Sequence, residues 1–158
     1  MIGYIGFAQE ADKSFEKEYS LEKTPNGLRA CYDEIVQRIS TEVDVSECGD
    51  LTTAYRIKRA VWDTGATTSI ISTELAEKVG FRPIETGLIV TATGKAEVPM
   101  YILDIHLTRD LILKSVKVFG SPMKNRDVEF LIGMDVISKG RLTVDSTSGK
   151  TIVVFETV

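Results

Sequence analysis

Hydrophobic positions along this chain recur mainly at a spacing of two, in short runs broken by turn residues, and this pattern becomes dominant from Leu51 onward. Tyr55 to Trp62 predicts a strand. Ile70 and Ile71 begin a second apolar run that ends at Ser72, a residue suited to cap a helix. Glu74 then falls in the first turn, Leu75, Ala76 and Val79 share one face, and Gly80 supplies the stop. Tyr101, Leu103, Ile105 and Leu107 alternate with Ile102, Asp104, His106 and Thr108. That predicts a strand buried mainly on its odd face, with His106 solvated or partly packed on the more polar one. Leu111 to Phe119 and Val128 to Ile132 predict two more strands, the latter buried and central. Asp135 to Lys139 predicts a brief helix stopped by Gly140. Many short strands with one or two short helices suit a mainly β fold closed into a small barrel.

The first 50 residues follow a different pattern. Asp12 to Lys23 is charged, with Phe15, Tyr19 and Leu21 as scattered apolar points. Pro25-Asn26-Gly27 is a turn, and an Asn-Gly step between apolar residues can close a hairpin. Leu28, Cys31, Tyr32, Ile35, Val36 and Ile39 then recur at helical spacing, which favours a helix over 28–40, with a strand over Ile39 to Val45 left open. This much apolar surface exceeds what a solvated tail carries. The expected organisation is therefore a partly helical extension over 1–50, packed on the core or across a subunit interface, and a barrel domain over 51–158. A removable inhibitory segment is the competing reading of the extension.

Composition narrows the function classes. The chain has 158 residues and a net charge of −4, with a pI near 5.1, so it carries no basic field for nucleic acid or anionic lipid. No stretch approaches the roughly 20 apolar residues of a membrane span. The start lacks a positively charged leader and soon meets Glu10, Asp12 and Lys13. Two cysteines, Cys31 and Cys48, lack metal-ligand spacing and read as reduced thiols. The expected location is cytoplasmic.

The chemistry centres on Asp63-Thr64-Gly65, at the end of the apolar run Ala60-Val61-Trp62. A carboxylate there needs neighbours to hold it, and Gly65 lets backbone N–H groups approach without a side chain in the way. About seventy residues later, Phe130-Leu131-Ile132-Gly133-Met134-Asp135 repeats the order of apolar strand, glycine and short helix. Between them lies Thr91-Ala92-Thr93-Gly94-Lys95, and the chain closes with Leu142-Thr143-Val144 and Ile152 to Phe155 around Ser148-Gly149-Lys150. These four landmarks, in this order from Leu51 to about Phe155, resemble the retropepsin-like aspartic proteases, the family of the retroviral enzymes and their prokaryotic relatives.

The resemblance implies a closed barrel of the retropepsin (acid protease) type that hydrolyses peptide bonds. It makes Asp63 the catalytic residue, Thr64, Gly65 and Ala66 its supporting loop, and Thr91, Ala92, Thr93, Gly94 and Lys95 a flap over the substrate. Ile132 and Gly133 become a structural step beneath the loop. An aspartic protease needs two carboxylates that share a proton, and this chain has one Asp-Thr-Gly. Asp145, followed by Ser146 and Thr147, lacks the glycine and leaves no room for a second lobe, so it reads as a hairpin residue. The second carboxylate must come from another copy of Asp63 in a two-fold homodimer. The substrate is then an extended polypeptide. No metal or other cofactor is expected, because no His/Cys/carboxylate cluster, P-loop or Gly-x-Gly-x-x-Gly occurs. His106 has no Gly-x-Ser-x-Gly nucleophile to serve, and Glu74 and Asp135 read as first-turn helix charges.

Two positions depart from the viral pattern. Thr67 stands where many viral members carry an acidic residue, and Met134 where they carry an arginine; those groups pair near the dimer interface in the viral enzymes. The flap tip has Gly94 alone rather than a glycine-rich loop. A homodimer of this chain is thus expected to be held differently or more weakly. The alternative function class is a binding or assembly module of the same fold that cleaves little or nothing.

Overall fold

The Asn26-Gly27 step decides how the first part of the chain is used. In the computed structural model, which describes residues 3–5, 19–123 and 127–158, a short strand β1 (Gly3–Ile5) precedes a hairpin of β2 (Tyr19–Thr24) and β3 (Gly27–Tyr32). Thr24 pairs with Gly27 across the two-residue turn. A side chain at position 27 would meet the Phe155 carbonyl oxygen at 1.7 Å, so only glycine lets β3 lie this close to the last strand. The helix expected over 28–40 is not formed. Leu28, Ala30 and Tyr32 are buried in strand alternation, and Ile35 is 53% exposed in the following loop. The apparent helical spacing joined residues from both faces of a strand, Leu28 and Tyr32 on one and Cys31 on the other, to loop residues, and passed over Ala30. The strand reading of the next stretch holds, as β4 (Ser40–Glu47).

Beyond it run β5 (Thr53–Trp62), β6 (Ile70–Ser72), α1 (Thr73–Val79), β7 (Glu85–Thr91), β8 (Gly94–His106), β9 (Ile112–Ser121), β10 (Phe130–Ile132), α2 (Met134–Ile137), β11 (Gly140–Asp145) and β12 (Thr151–Thr157). Strands pair in the order β5-β10-β6-β9-β8-β4, and β4 returns to β5, which closes a six-stranded barrel. β1 pairs with β5 outside this ring, and β7 pairs with β8. A second sheet runs β11-β12-β3-β2. The fold is therefore mainly β, a closed barrel with two short helices. Ser72 caps α1 through its hydroxyl, which accepts the Leu75 N–H at 3.3 Å, and Gly80 ends it at φ 79°. Helix α2 begins one residue earlier than the sequence suggests and ends before Ser138, and Gly140 opens β11 instead of ending the helix.

The barrel interior holds Val43, Val45, Ile57, Leu103, Ile105, Phe130 and Ile132, all almost fully buried. Leu28 and Phe155 join the second sheet to the same core, the Phe155 ring packing at a tilt with its centre 5.1 Å from that of Trp62. Burial of each such side chain is worth about 1.5–3 kcal/mol, so this cluster outweighs any single polar contact.

Strand β8 departs from simple alternation. Asp104 and His106, on its even face, are 4% and 5% exposed, so the histidine is not the solvated or half-packed residue expected. The Asp104 carboxylate and His106 Nε2 are tied to neighbouring backbone and a hydroxyl, which makes their burial tolerable, while His106 Nδ1 is buried without a hydrogen-bond partner among the described residues. Asp104 accepts the N–H groups of Ser115 (2.8 Å) and Gly49 (3.3 Å), and His106 Nε2 lies 3.0 Å from the Ser46 hydroxyl. Burial lowers the pKa of His106, against the opposing pull of Asp44 and Asp104.

Candidate active site

Strand β10 lies between β5, to which it runs parallel, and β6, to which it runs antiparallel. The segment joining β5 to β6 must therefore cross the end of β10, and that segment starts with Asp63. The Asp63 N–H donates to the Ile132 carbonyl at 2.9 Å, and the Ala66 N–H donates back to the Asp63 carbonyl at 3.2 Å. The Gly65 N–H donates to Asp63 Oδ1 at 2.8 Å. One carboxylate oxygen is thus fixed by a backbone donor two residues on, which is what a glycine here permits. Asp63 is half-buried, while Thr64 and Gly65 are exposed. Just before it, the Trp62 indole N–H donates to the buried Thr41 hydroxyl at 2.9 Å, tying the root of the loop to β4.

Gly133 packs directly beneath this loop. A Cβ there would lie 2.7 Å from the Thr68 carbonyl group and 2.8 Å from the Ala66 oxygen, both rigid backbone. The close approach allows the Met134 N–H to donate to the Ala66 carbonyl at 2.8 Å and the Asp135 N–H to the Thr67 carbonyl at 3.2 Å. Asp63, Thr64, Gly65 and Ala66 are accordingly gathered with Ile132 and Gly133 into one unit. Ser69 and Asp135 also belong to it: the Ser69 hydroxyl donates to Asp135 Oδ1 at 2.8 Å. Sequence reading passed over this pair. The available signal was a serine four residues past Gly65 and an acid two residues past Gly133, whose side chains the strand order places side by side.

The hairpin tip, Thr91 to Lys95, is exposed throughout. Its bonds are internal: the Thr91 hydroxyl donates to the Gly94 carbonyl at 2.9 Å, and Gly94 takes φ 127° at the turn. Among the described residues no hydrogen bond joins this tip to the Asp63 loop. Asp145 lies in the β11–β12 hairpin, where the Thr147 hydroxyl and N–H hold its carboxyl below the usual carboxylate range. Among the described residues no group of three or more His, Cys, Asp or Glu side chains could hold a metal ion, and no helix is long and apolar enough to cross a membrane.

A sequence model of the family described as "gag-polyprotein putative aspartyl protease" matches residues 55–139. No curated protein matches the chain. Among solved structures, a retropepsin-like aspartic protease from Rickettsia conorii is 14% identical, with 91% of this chain and 99% of that one covered and a TM-score of 0.49. The protease of Simian Foamy Virus (mac) is 23% identical over 62% of this chain and 92% of its own, at a TM-score of 0.40. The retroviral protease-like domain of Ddi1 from Leishmania major is 16% identical over 75% and 94%, at 0.41. The matched residues 55–139 are more than half of the chain, and they contain both the loop that carries Asp63 and the glycine step on which it rests. On that ground the chain belongs to the retropepsin-like aspartic protease family.

Proposed function

We propose that this protein is an aspartic endopeptidase, active as a homodimer in which Asp63 of each copy supplies one carboxyl of a shared pair. The observation that carries the reading is the Asp63 loop itself. It holds a half-buried carboxylate on a backbone N–H, with Thr64 and Gly65 left exposed beside it where a second loop can meet them.

Two carboxyls brought together on a two-fold axis cannot both ionise, so one keeps its proton. The ionised member takes a proton from a water molecule, whose oxygen attacks the peptide carbonyl carbon. The protonated member gives its proton to the carbonyl oxygen. Collapse of the tetrahedral intermediate breaks the C–N bond as a proton passes to the departing nitrogen. Thr64 braces one loop against the other across the axis, and Ala66 completes the loop. Ile132 and Gly133 act as scaffold. Thr91 to Lys95 cover an extended polypeptide that adds strand-like hydrogen bonds. In this scheme residues 51–158 hold the chemistry, and residues 1–50 complete and brace the framework. No cofactor or metal takes part. Cys31 and Cys48, both free thiols, accord with a reducing cytoplasmic setting.

One observation favours a binding module instead: Thr67 and the 37% exposed Met134 put no charge pair at the loop. Both readings meet in one experiment. Purified protein is incubated with an unfolded mixed protein substrate across about pH 3 to 8, alongside Asp63→Asn, over a dilution series followed by light scattering. The expected result is a bell-shaped pH profile with an acidic to mildly acidic optimum. Activity per chain should fall as the dimer dissociates, and Asp63→Asn should lose about 10⁴-fold in rate with its fold intact. Cleavage by the Asn variant at the wild-type rate, or by a monomer, would overturn the proposal. A stable dimer without cleavage at any pH would establish the binding module.

A further inference from the structure

One hydroxyl beneath the Asp63 loop links Asp135 to the Gly133 step. Ser69 is completely buried. Its N–H donates to Asp135 Oδ2 at 3.0 Å and its hydroxyl to Asp135 Oδ1 at 2.8 Å. The same hydroxyl oxygen accepts the Gly133 N–H at 3.1 Å, and the Ser69 carbonyl accepts the Phe119 N–H at 3.1 Å. Every polar group of this serine is engaged. Asp135 does more than a first-turn charge requires. Oδ1 takes the N–H of Val136 at 3.0 Å, yet both oxygens also reach a residue 66 positions away. Each carboxylate oxygen thus accepts from a different donor of the same residue, which fixes the orientation of both side chains.

Together with the backbone bonds from Met134 to Ala66 and from Asp135 to Thr67, three of the four residues that follow Gly65 are tied to the start of α2. The loop cannot slide on Gly133 without breaking several bonds at once. We propose that Asp135 and Ser69 form a clasp that sets the position of Asp63, with Asp135 a positioning residue for proteolysis. Its catalytic consequence rests on the reading of Asp63 given above. The clasp itself does not. A shift of about 1 Å in a reacting group can cost about a hundredfold in rate, so the clasp is expected to act on kcat more than on KM.

The test compares Asp135→Ala, Asp135→Asn and Ser69→Ala with the wild type, by steady-state cleavage and by amide hydrogen exchange. In Asp135→Ala, kcat should fall about a hundredfold with KM changed less. Exchange at Ala66, Ser69, Gly133 and Met134 should quicken by about tenfold or more, with β12 amides such as Val153 unaffected. Asp135→Asn keeps an acceptor for the Ser69 N–H and offers its amide to the hydroxyl oxygen, so it should restore most of kcat. Should Asp135→Ala not fold, Ser69→Ala, which removes one oxygen, carries the test through the same amides. Wild-type kcat and exchange in both alanine variants would overturn the clasp. So would loss of protection spread equally to β12, or no rescue by asparagine. Faster exchange confined to the loop, in a protein that never cleaves, would support the clasp and overturn the protease reading alone.

Discussion

The Asp63 loop, which forms the floor of the candidate site, and the β7–β8 hairpin both grow from strands of one sheet and are held in different ways. The Asp63 loop is fixed by backbone bonds to Ile132, Met134 and Asp135 and by the steric fit of Gly133, so small displacements break several contacts together. The β7–β8 hairpin leans on the rest of the molecule at Gly87, where a Cβ would strike the Phe119 ring at 2.2 Å. Above that point β7 pairs with β8 alone, and Leu88 and Val90 are 68% and 81% exposed. Under the proposed function this contrast is useful, because a catalytic carboxylate gains from over-determined geometry, whereas a cover must admit and release a chain. The floor therefore carries fixed residue types, and the hairpin mostly a turn.

The largest expected effect comes from removing residues 1–48. That deletion takes away β4, which closes the barrel between β5 and β8, together with Leu28, Val43, Val45 and the Thr41 hydroxyl under Trp62. The truncated chain should be insoluble or unfolded by circular dichroism. A folded, active product would show that the floor does not depend on the first sheet and strand. Gly133→Ala comes next. Two carbonyl groups must move by several tenths of an ångström, which should cost about 1–3 kcal/mol in urea unfolding and lower kcat by about a hundredfold.

At the hairpin the order of effects should reverse. Lys95→Ala and Thr93→Ala, both at exposed positions, should leave stability within about 0.5 kcal/mol and change KM or peptide preference instead. Equal effects on kcat and none on KM would remove the hairpin from substrate contact. The smallest effect concerns His106. Burial lowers its folded-state pKa, so its contribution to stability is full above the unfolded value of 6.5 and is lost as pH falls through that value. His106→Gln should flatten the stability profile below about pH 6.5 and leave the activity optimum in place. A moved optimum would tie this outer face to the floor.

How far the floor could be read beforehand depends on the range of the interactions. Asp63, Gly65 and Gly133 announce themselves because each answers a local demand: an acceptor, a close donor and a missing Cβ. The strand ends, the Ser72 cap and the Gly80 stop are local in the same sense. Leu28 to Tyr32 was misread because burial on alternate sides became visible only once β12 lay beside it. His106 was misread because alternation assigns a polar face to solvent, whereas Ser46 and the backbone around Asp104 make burial affordable.

By itself, then, the sequence determined the family signature, the short-strand β architecture and the place of the Asp63 carboxylate at the end of a strand. Those features follow from sterics and hydrogen bonds among residues a few positions apart. Only the tertiary structure decided that β4 closes the barrel, that β3 is a strand and that Asp135 reaches Ser69 across 66 positions. Pairings of that kind are selected by the whole packed core, where a segment takes the conformation that buries its neighbours best, and no window of adjacent residues contains that choice.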